Sequence, residues 1–142
     1  MPVSTDMLDG GVAVVTLSPA ASSNTFSPDH FDPFLSCLQE LMANPSCRSV
    51  VITGSGRFFS SGGNMDDFSD AIENDNIGSI VQEMTDKLHP LLLRMRTSEK
   101  VFVCAINGSA AGGGLGLALA SDYRVCSPEA KLASAFFRLG LS

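Results

Sequence analysis

The sequence predicts an α/β fold with at least partly parallel strands, and three observations carry that prediction. Short runs rich in β-branched residues end at glycine. Between them lie longer segments whose apolar residues recur every three or four positions. The two kinds of segment alternate along the chain. With 142 residues, 44% of them hydrophobic and 17% charged, the chain is long enough for one domain with a real core.

Gly11–Leu17, "GVAVVTL", is β-branched and preceded by Asp9-Gly10, so it reads as a strand leaving a turn. "SPAASSNTFSPD" is loop-like. Phe31, Phe34, Leu35, Leu38, Leu41 and Met42 then trace one helical face. Ser27-Pro28 fits an N-cap and first helical position, with Asp32-Pro33 as an alternative start; Asn44-Pro45 ends the helix. Ser49–Thr53, "SVVIT", is a short buried strand closing on Gly54. "GSGRFFSSGGNMDDF" reads as a long loop with two glycine clusters. The acids Asp66, Asp67, Asp70, Glu73 and Asp75 after it read as a solvated, mobile stretch. Ile77, Ile80, Val81, Met84, Leu88, Leu91, Leu92 and Met95 mark a second amphipathic helix, kinked at Pro90. "VFVCAI" (Val101–Ile106) is the next buried strand, "LGLALAS" has helix-forming residues, and "YRVCS" resembles a further strand. The final "AKLASAFFRLGLS" carries no closing cap or polar tail and reads as an interrupted chain.

Nine Lys+Arg against fifteen Asp+Glu give a net charge of −6, which argues against a nucleic-acid-binding face. Cys37, Cys47, Cys104 and Cys126 form no C-x-x-C pair and have no histidine at zinc-ligand spacing, so no metal site is expected. Their most economical reading is reduced thiols in an intracellular setting. No apolar run approaches membrane-spanning length, and the first ten residues lack the features of a secretory signal.

Two strands, "SVVIT" and "VFVCAI", each run into a glycine-rich segment. If they are parallel neighbours, both loops reach the same sheet edge, where α/β folds bind ligands. Gly54, Gly56 and Gly62 lack the G-x-G-x-x-G spacing of a dinucleotide site, and no Gly-Lys-Ser/Thr triplet exists for a P-loop. Either loop alone could be glycine-rich for helix–strand packing. The ordered pair is harder to explain that way.

Together, "SVVITGSGRFFSSGGNMDDF" and "KVFVCAINGSAAGGGLGLALASDYRVCSPEAKLASAFFRLGLS" resemble the enoyl-CoA hydratase/isomerase, or crotonase, family. The resemblance covers nearly the whole chain. It implies a spiral of ββα turns, here the N-terminal core only, interrupted before the C-terminal helices. It implies an acyl-CoA thioester as ligand, with coenzyme A part of the substrate and no further cofactor. It also implies a homotrimer or hexamer, and a place in fatty acid β-oxidation. The family's oxyanion hole corresponds to the backbone N–H groups of Gly63 and Gly113. Two fixed donors of that kind stabilise the enolate formed when a proton leaves the thioester's α-carbon.

The resemblance further implies ligand contacts from Ser60, Ser61, Gly62, Gly63, Asn64 and Met65 in the first loop, and from Gly112 and Gly113 in the second. Ala21, Ser22 and Asn24 fall in the family's first CoA-contacting segment, with Ser22 in place of the usual basic residue. Phe58, Met65, Phe136 and Phe137 are candidate walls of an acyl channel, or plain core. The family's hydratases use two glutamates. Their positions here hold Gly116 and Phe136, which argues against hydration. The pattern looks closest to peroxisomal-type Δ3,Δ2-enoyl-CoA isomerases, whose single glutamate would lie beyond Ser142; a dehalogenase branch also carries glycine at the Gly116 position. That likeness places the chain in a peroxisome or mitochondrion ahead of the cytosol. His89 and His30 read as surface or core-edge residues, and Asp122 as a structural tie for its turn.

Overall fold

The computed structural model describes residues 3–18, 24–136 and 140. β1 (Val3–Leu8) and β2 (Val12–Leu17) form an antiparallel hairpin in register from Val3↔Leu17 to Leu8↔Val12. The sequence expectation starts the sheet only at Gly11. β1 escapes it because only Val3 is buried and the other five residues face solvent, leaving no apolar alternation to read. Backbone pairing to β2 holds the strand at the sheet edge.

α1 (Pro28–Ala43) starts where Ser27-Pro28 predicts: Ser27 is extended (φ −98°, ψ 162°) and Pro28 opens the helix, with Pro33 accommodated inside it. Its buried Phe31, Phe34, Leu38 and Leu41 lie on one stripe. Phe31 and Phe34 pack edge-on to each other, and Phe26 meets both, with ring centroids 5.2 to 6.3 Å apart. Asn44, held extended before Pro45, ends the helix.

β3 (Ser49–Gly54) runs parallel to β2, and β5 (Val101–Ile106) runs parallel to β3. Val15, Ile52 and Cys104 align across the three strands as one fully buried row. β7 (Tyr123–Cys126) completes a five-stranded sheet of order β1-β2-β3-β5-β7. A second sheet, invisible in the sequence reading, joins β4 (Phe58–Ser60), β6 (Ser109–Ala111) and β8 (Leu132–Ala133), all parallel.

The acidic stretch after Gly63 is α2 (Met65–Glu73), not a mobile loop. The Asn64 side chain accepts the Asp66 N–H at 3.0 Å, and Asp66 and Asp67 sit in the first turn, where negative charge favours a helix. Only Ala71 of this helix is buried, so periodicity gave no warning of it. α3 (Ile77–Thr97) runs continuously through Pro90, with Leu91 and Met95 buried and Arg94 and Arg96 in the last turn. α4 (Gly113–Ala120) follows the second glycine loop and packs against α3.

Candidate functional site

Because β3 and β5 are parallel neighbours, their C-terminal ends release both glycine loops on one sheet edge. β4 and β6 then zip the loops together, pairing Phe58 with Ser109 and Ser60 with Ala110. Gly62 lies where the loops touch. Its φ of +83° suits glycine, and a Cβ there would meet Ala111 O and Gly113 N, both at 2.8 Å. Gly112, at φ 51° and ψ −124°, turns the second loop into α4.

Polar side chains beneath the loops set their position. Asn24 donates through Nδ2 to the carbonyls of Ser55 (3.0 Å), Phe58 (2.8 Å) and Phe59 (3.2 Å). Asn107 reaches in from the end of β5: its Oδ1 accepts the Gly54 N–H at 2.9 Å, and its Nδ2 donates to Gly56 O and Phe58 O. Ser60 Oγ donates to Asn24 O at 2.9 Å and accepts from Gly62 N at 3.1 Å. Phe26 N donates to Gly62 O at 2.8 Å, adding a third chain segment to the assembly.

Over the loops lies a cavity of about 300 Å³. Gly63 and Gly113 line it together, with Phe26, Phe68, Leu88 and Phe136 supplying apolar wall. Gly113 opens α4, so its N–H has no acceptor within the helix. Among the described residues neither Gly63 nor Gly113 donates a backbone hydrogen bond. Gly63 and Gly113 thus share one apolar space, each bringing a backbone N–H to its border region.

Of the residues expected at the ligand, Ser61, Gly63, Met65, Gly112 and Gly113 border this cavity. Asn24 and Ser60 are buried behind it and hydrogen-bonded into the loops, while Gly62 is buried between them. Asn64 caps α2. Ala21, Ser22 and Phe137 lie outside the described residues. Phe136 contributes wall, and Phe58 belongs to β4. Gly116 sits one turn into α4 beside Leu92 and does not border the cavity. Asp66, Asp67, Asp70, Glu73 and Asp75 do not border it either.

His89, read from sequence as a surface or core-edge residue, stands on the cavity wall. Asp122 ties more than its own turn: Oδ2 accepts the Phe102 N–H at 2.8 Å, and Oδ1 lies 3.2 Å from Arg96 Nη1. Lys87 joins α3 to α1 through Asp32 at 3.0 Å, a contact that raises its pKa, with Glu83 of the same helix at 3.3 Å. Burial pushes the Cys104 thiol up to about 11, against the opposing pulls of the Ser121 hydrogen bond and the Arg124 charge. Burial likewise raises Cys37, opposed by its contact with Thr5.

Residues 8–142 match the family model described as enoyl-CoA hydratase/isomerase. The chain belongs to that family. A Bacillus subtilis relative named "Probable enoyl-CoA hydratase" is 34% identical over 135 residues, covering 94% of this chain and 50% of the relative. The Escherichia coli "1,2-epoxyphenylacetyl-CoA isomerase" is 30% identical over 136 residues, covering 94% of this chain and 51% of the relative. Among solved structures, an enoyl-CoA hydratase from Bacillus halodurans superimposes with a TM-score of 0.89 at 26% identity, covering 100% of this chain and 56% of that one. The fold is therefore that of the crotonase family, and the chain spans about half the length of the curated relatives it matches. These relatives are bacterial, as are those from Thermus and Mycobacterium; bacteria have neither peroxisomes nor mitochondria, so the expected organellar address is overturned.

Proposed function

We propose that this crotonase-family chain binds an acyl-CoA thioester and acts as an isomerase, moving the double bond of a 3-enoyl-CoA to the 2-position. The observation that carries the reading is the meeting of the Gly63 and Gly113 backbones on one apolar cavity. A thioester carbonyl placed there, with donors at roughly 2.7–3.1 Å, gains stabilisation as its α-proton leaves and charge moves onto oxygen. One such donor is worth about 3 kcal/mol in the transition state. The largely apolar wall suits an acyl chain. Gly116 and Phe136, at the two positions where the family's hydratases keep glutamates, support isomerisation over hydration.

The test incubates the 142-residue chain with 3-hexenoyl-CoA and separately with 2-hexenoyl-CoA. Conversion of the first to the conjugated thioester supports the reading. Hydration of the second, without isomerisation of the first, would replace it with a hydratase. Saturable binding of both without turnover would leave a non-catalytic acyl-CoA-binding protein.

A further inference from the structure

The family resemblance puts Ser60 at the ligand; the structure buries it completely and commits its hydroxyl to backbone. Oγ donates to Asn24 O at 2.9 Å and accepts the Gly62 N–H at 3.1 Å, so the hydroxyl serves as both donor and acceptor. Gly62 is held on its other side as well, its carbonyl accepting the Phe26 N–H at 2.8 Å. Asn24 and Phe26 belong to one short segment, which therefore closes a ring of hydrogen bonds around Gly62. Asn24 anchors that segment, standing at φ 53° with its side chain bonded to the Ser55, Phe58 and Phe59 carbonyls. The Gly62 carbonyl and the Gly63 N–H belong to the same peptide. A trans peptide is flat and its two polar groups point in opposite directions, so fixing the carbonyl aims the N–H. Ser60 also backs the second loop: a Cβ on Gly114 would meet Ser60 Cβ at 2.7 Å and Oγ at 2.8 Å. One buried side chain thus adjoins the chain neighbours of both Gly63 and Gly113.

We propose that Ser60 is a positioning residue of the acyl-CoA site: its hydroxyl, acting through Gly62, sets the direction in which the Gly63 N–H meets a thioester oxygen. The inference rests on the reading of Gly63 and Gly113 as oxyanion donors and names what holds one of them in place. Alanine at residue 60 is smaller and adds no clash. It leaves the Gly62 N–H and Asn24 O without their shared partner and frees the following peptide to turn. The loss falls on how the carbonyl is polarised, while the apolar wall that receives the acyl chain is untouched.

The experiment uses the 142-residue chain and hexanoyl-CoA, a saturated thioester that cannot isomerise, isotope-labelled at its carbonyl. Infrared difference spectroscopy reads how far the bound carbonyl stretch falls below that of the free thioester, and isothermal titration gives the affinity. The wild-type chain is expected to lower the band. Ser60→Ala is expected to bind within about threefold of wild type and to lose about half of the lowering, as for one of two donors. Ser121→Ala removes another buried hydroxyl, bonded to Ala118 O and Tyr123 O at the far end of α4, and is expected to keep the wild-type band. Amide hydrogen exchange in the unliganded wild-type chain keeps the test decisive if Ser60→Ala is poorly folded: the Gly62 N–H should exchange at least about tenfold more slowly than the Gly63 N–H. Full lowering by Ser60→Ala, an equal loss in Ser121→Ala, or a Gly62 N–H exchanging as fast as that of Gly63 would each overturn the proposal and leave the acyl-CoA site standing. Saturable binding to the wild-type chain with an unshifted carbonyl would overturn the donor reading, and absence of binding the site reading, each taking Ser60's role with it.

Discussion

Gly62→Ala separates a working pair of loops from a merely compact one. A Cβ at residue 62 would sit 2.8 Å from both Ala111 O and Gly113 N, whereas ordinary contact begins near 3.4 Å. The two loops must therefore part by about 0.6 Å, and part of that motion falls on Gly113, one of the two proposed donors. Holding alanine at φ +83° adds about 1–2 kcal/mol of backbone strain. With the wedge, the total loss of stability is about 2–4 kcal/mol. Displacing one oxyanion donor costs turnover on the order of 100-fold. Gly56→Ala is the control for strain alone, having φ +71° and nothing within 4 Å of the added carbon. Gly113→Ala is the control for altered sequence with the N–H retained: its nearest neighbour is the tip of Leu88 at 3.3 Å. Urea unfolding gives the stability of each variant, and conversion of 3-hexenoyl-CoA gives its turnover. If Gly62→Ala matches Gly56→Ala in both measurements, the loop contact does not position the donor and the reasoning fails.

Asp122→Ala is expected to cost about 1–3 kcal/mol because it strands the Phe102 N–H, while Arg96→Ala, which removes only the exposed ion pair, stays within about 0.5 kcal/mol; equal losses in urea titrations would contradict this division. Cys104 is protonated in the folded chain up to about pH 11, above its ordinary value of 9.0. Its stabilising contribution is thus complete below pH 9.0 and is lost as pH rises towards 11, by about 2–3 kcal/mol in all. Denaturation midpoints across that range should fall less steeply in Cys104→Ala, and an unchanged slope would assign the alkaline loss elsewhere. Gly116→Ala should stabilise the chain by about 0.5–1 kcal/mol, since the nearest atom to the new carbon is Leu92 Cδ1 at 3.9 Å within a helix; a lowered melting temperature would show that residue 116 needs its bare backbone for packing.

The buried strands were legible because each presents alternate residues to one core: Ala13, Val15 and Leu17 in β2, Val50 and Ile52 in β3, Phe102, Cys104 and Ile106 in β5. The proposed oxyanion donors Gly63 and Gly113 came only through a resemblance, since glycine spacing alone excluded nucleotide sites without naming another. What stayed hidden has physical causes. β1 pairs through its backbone and buries little. α2 is started by the Asn64 cap more than by an apolar face. β4, β6 and β8 are two- and three-residue strands whose existence depends on which loops meet. His89 follows Leu88 on a helix with ordinary amphipathic spacing, and nothing in that spacing tells which edge of the face borders a cavity. Asn107, between a strand and Gly108, carried a turn signal but no hint that it would clamp the other loop.

The Phe58 carbonyl accepts from two asparagines, one 34 residues earlier in the chain and the other 49 residues later. The first glycine loop is thus held by clips from segments that meet only once the parallel sheet has formed. Its shape is a property of the assembled domain, not of its own twelve or so residues. A peptide copied from it, or the loop grafted onto another scaffold, would keep the glycines and lose the arrangement that makes them useful. Folding imposes an order as well: the cavity can open for a ligand only after the long-range strand pairs are in place, which puts binding competence among the last properties the chain acquires.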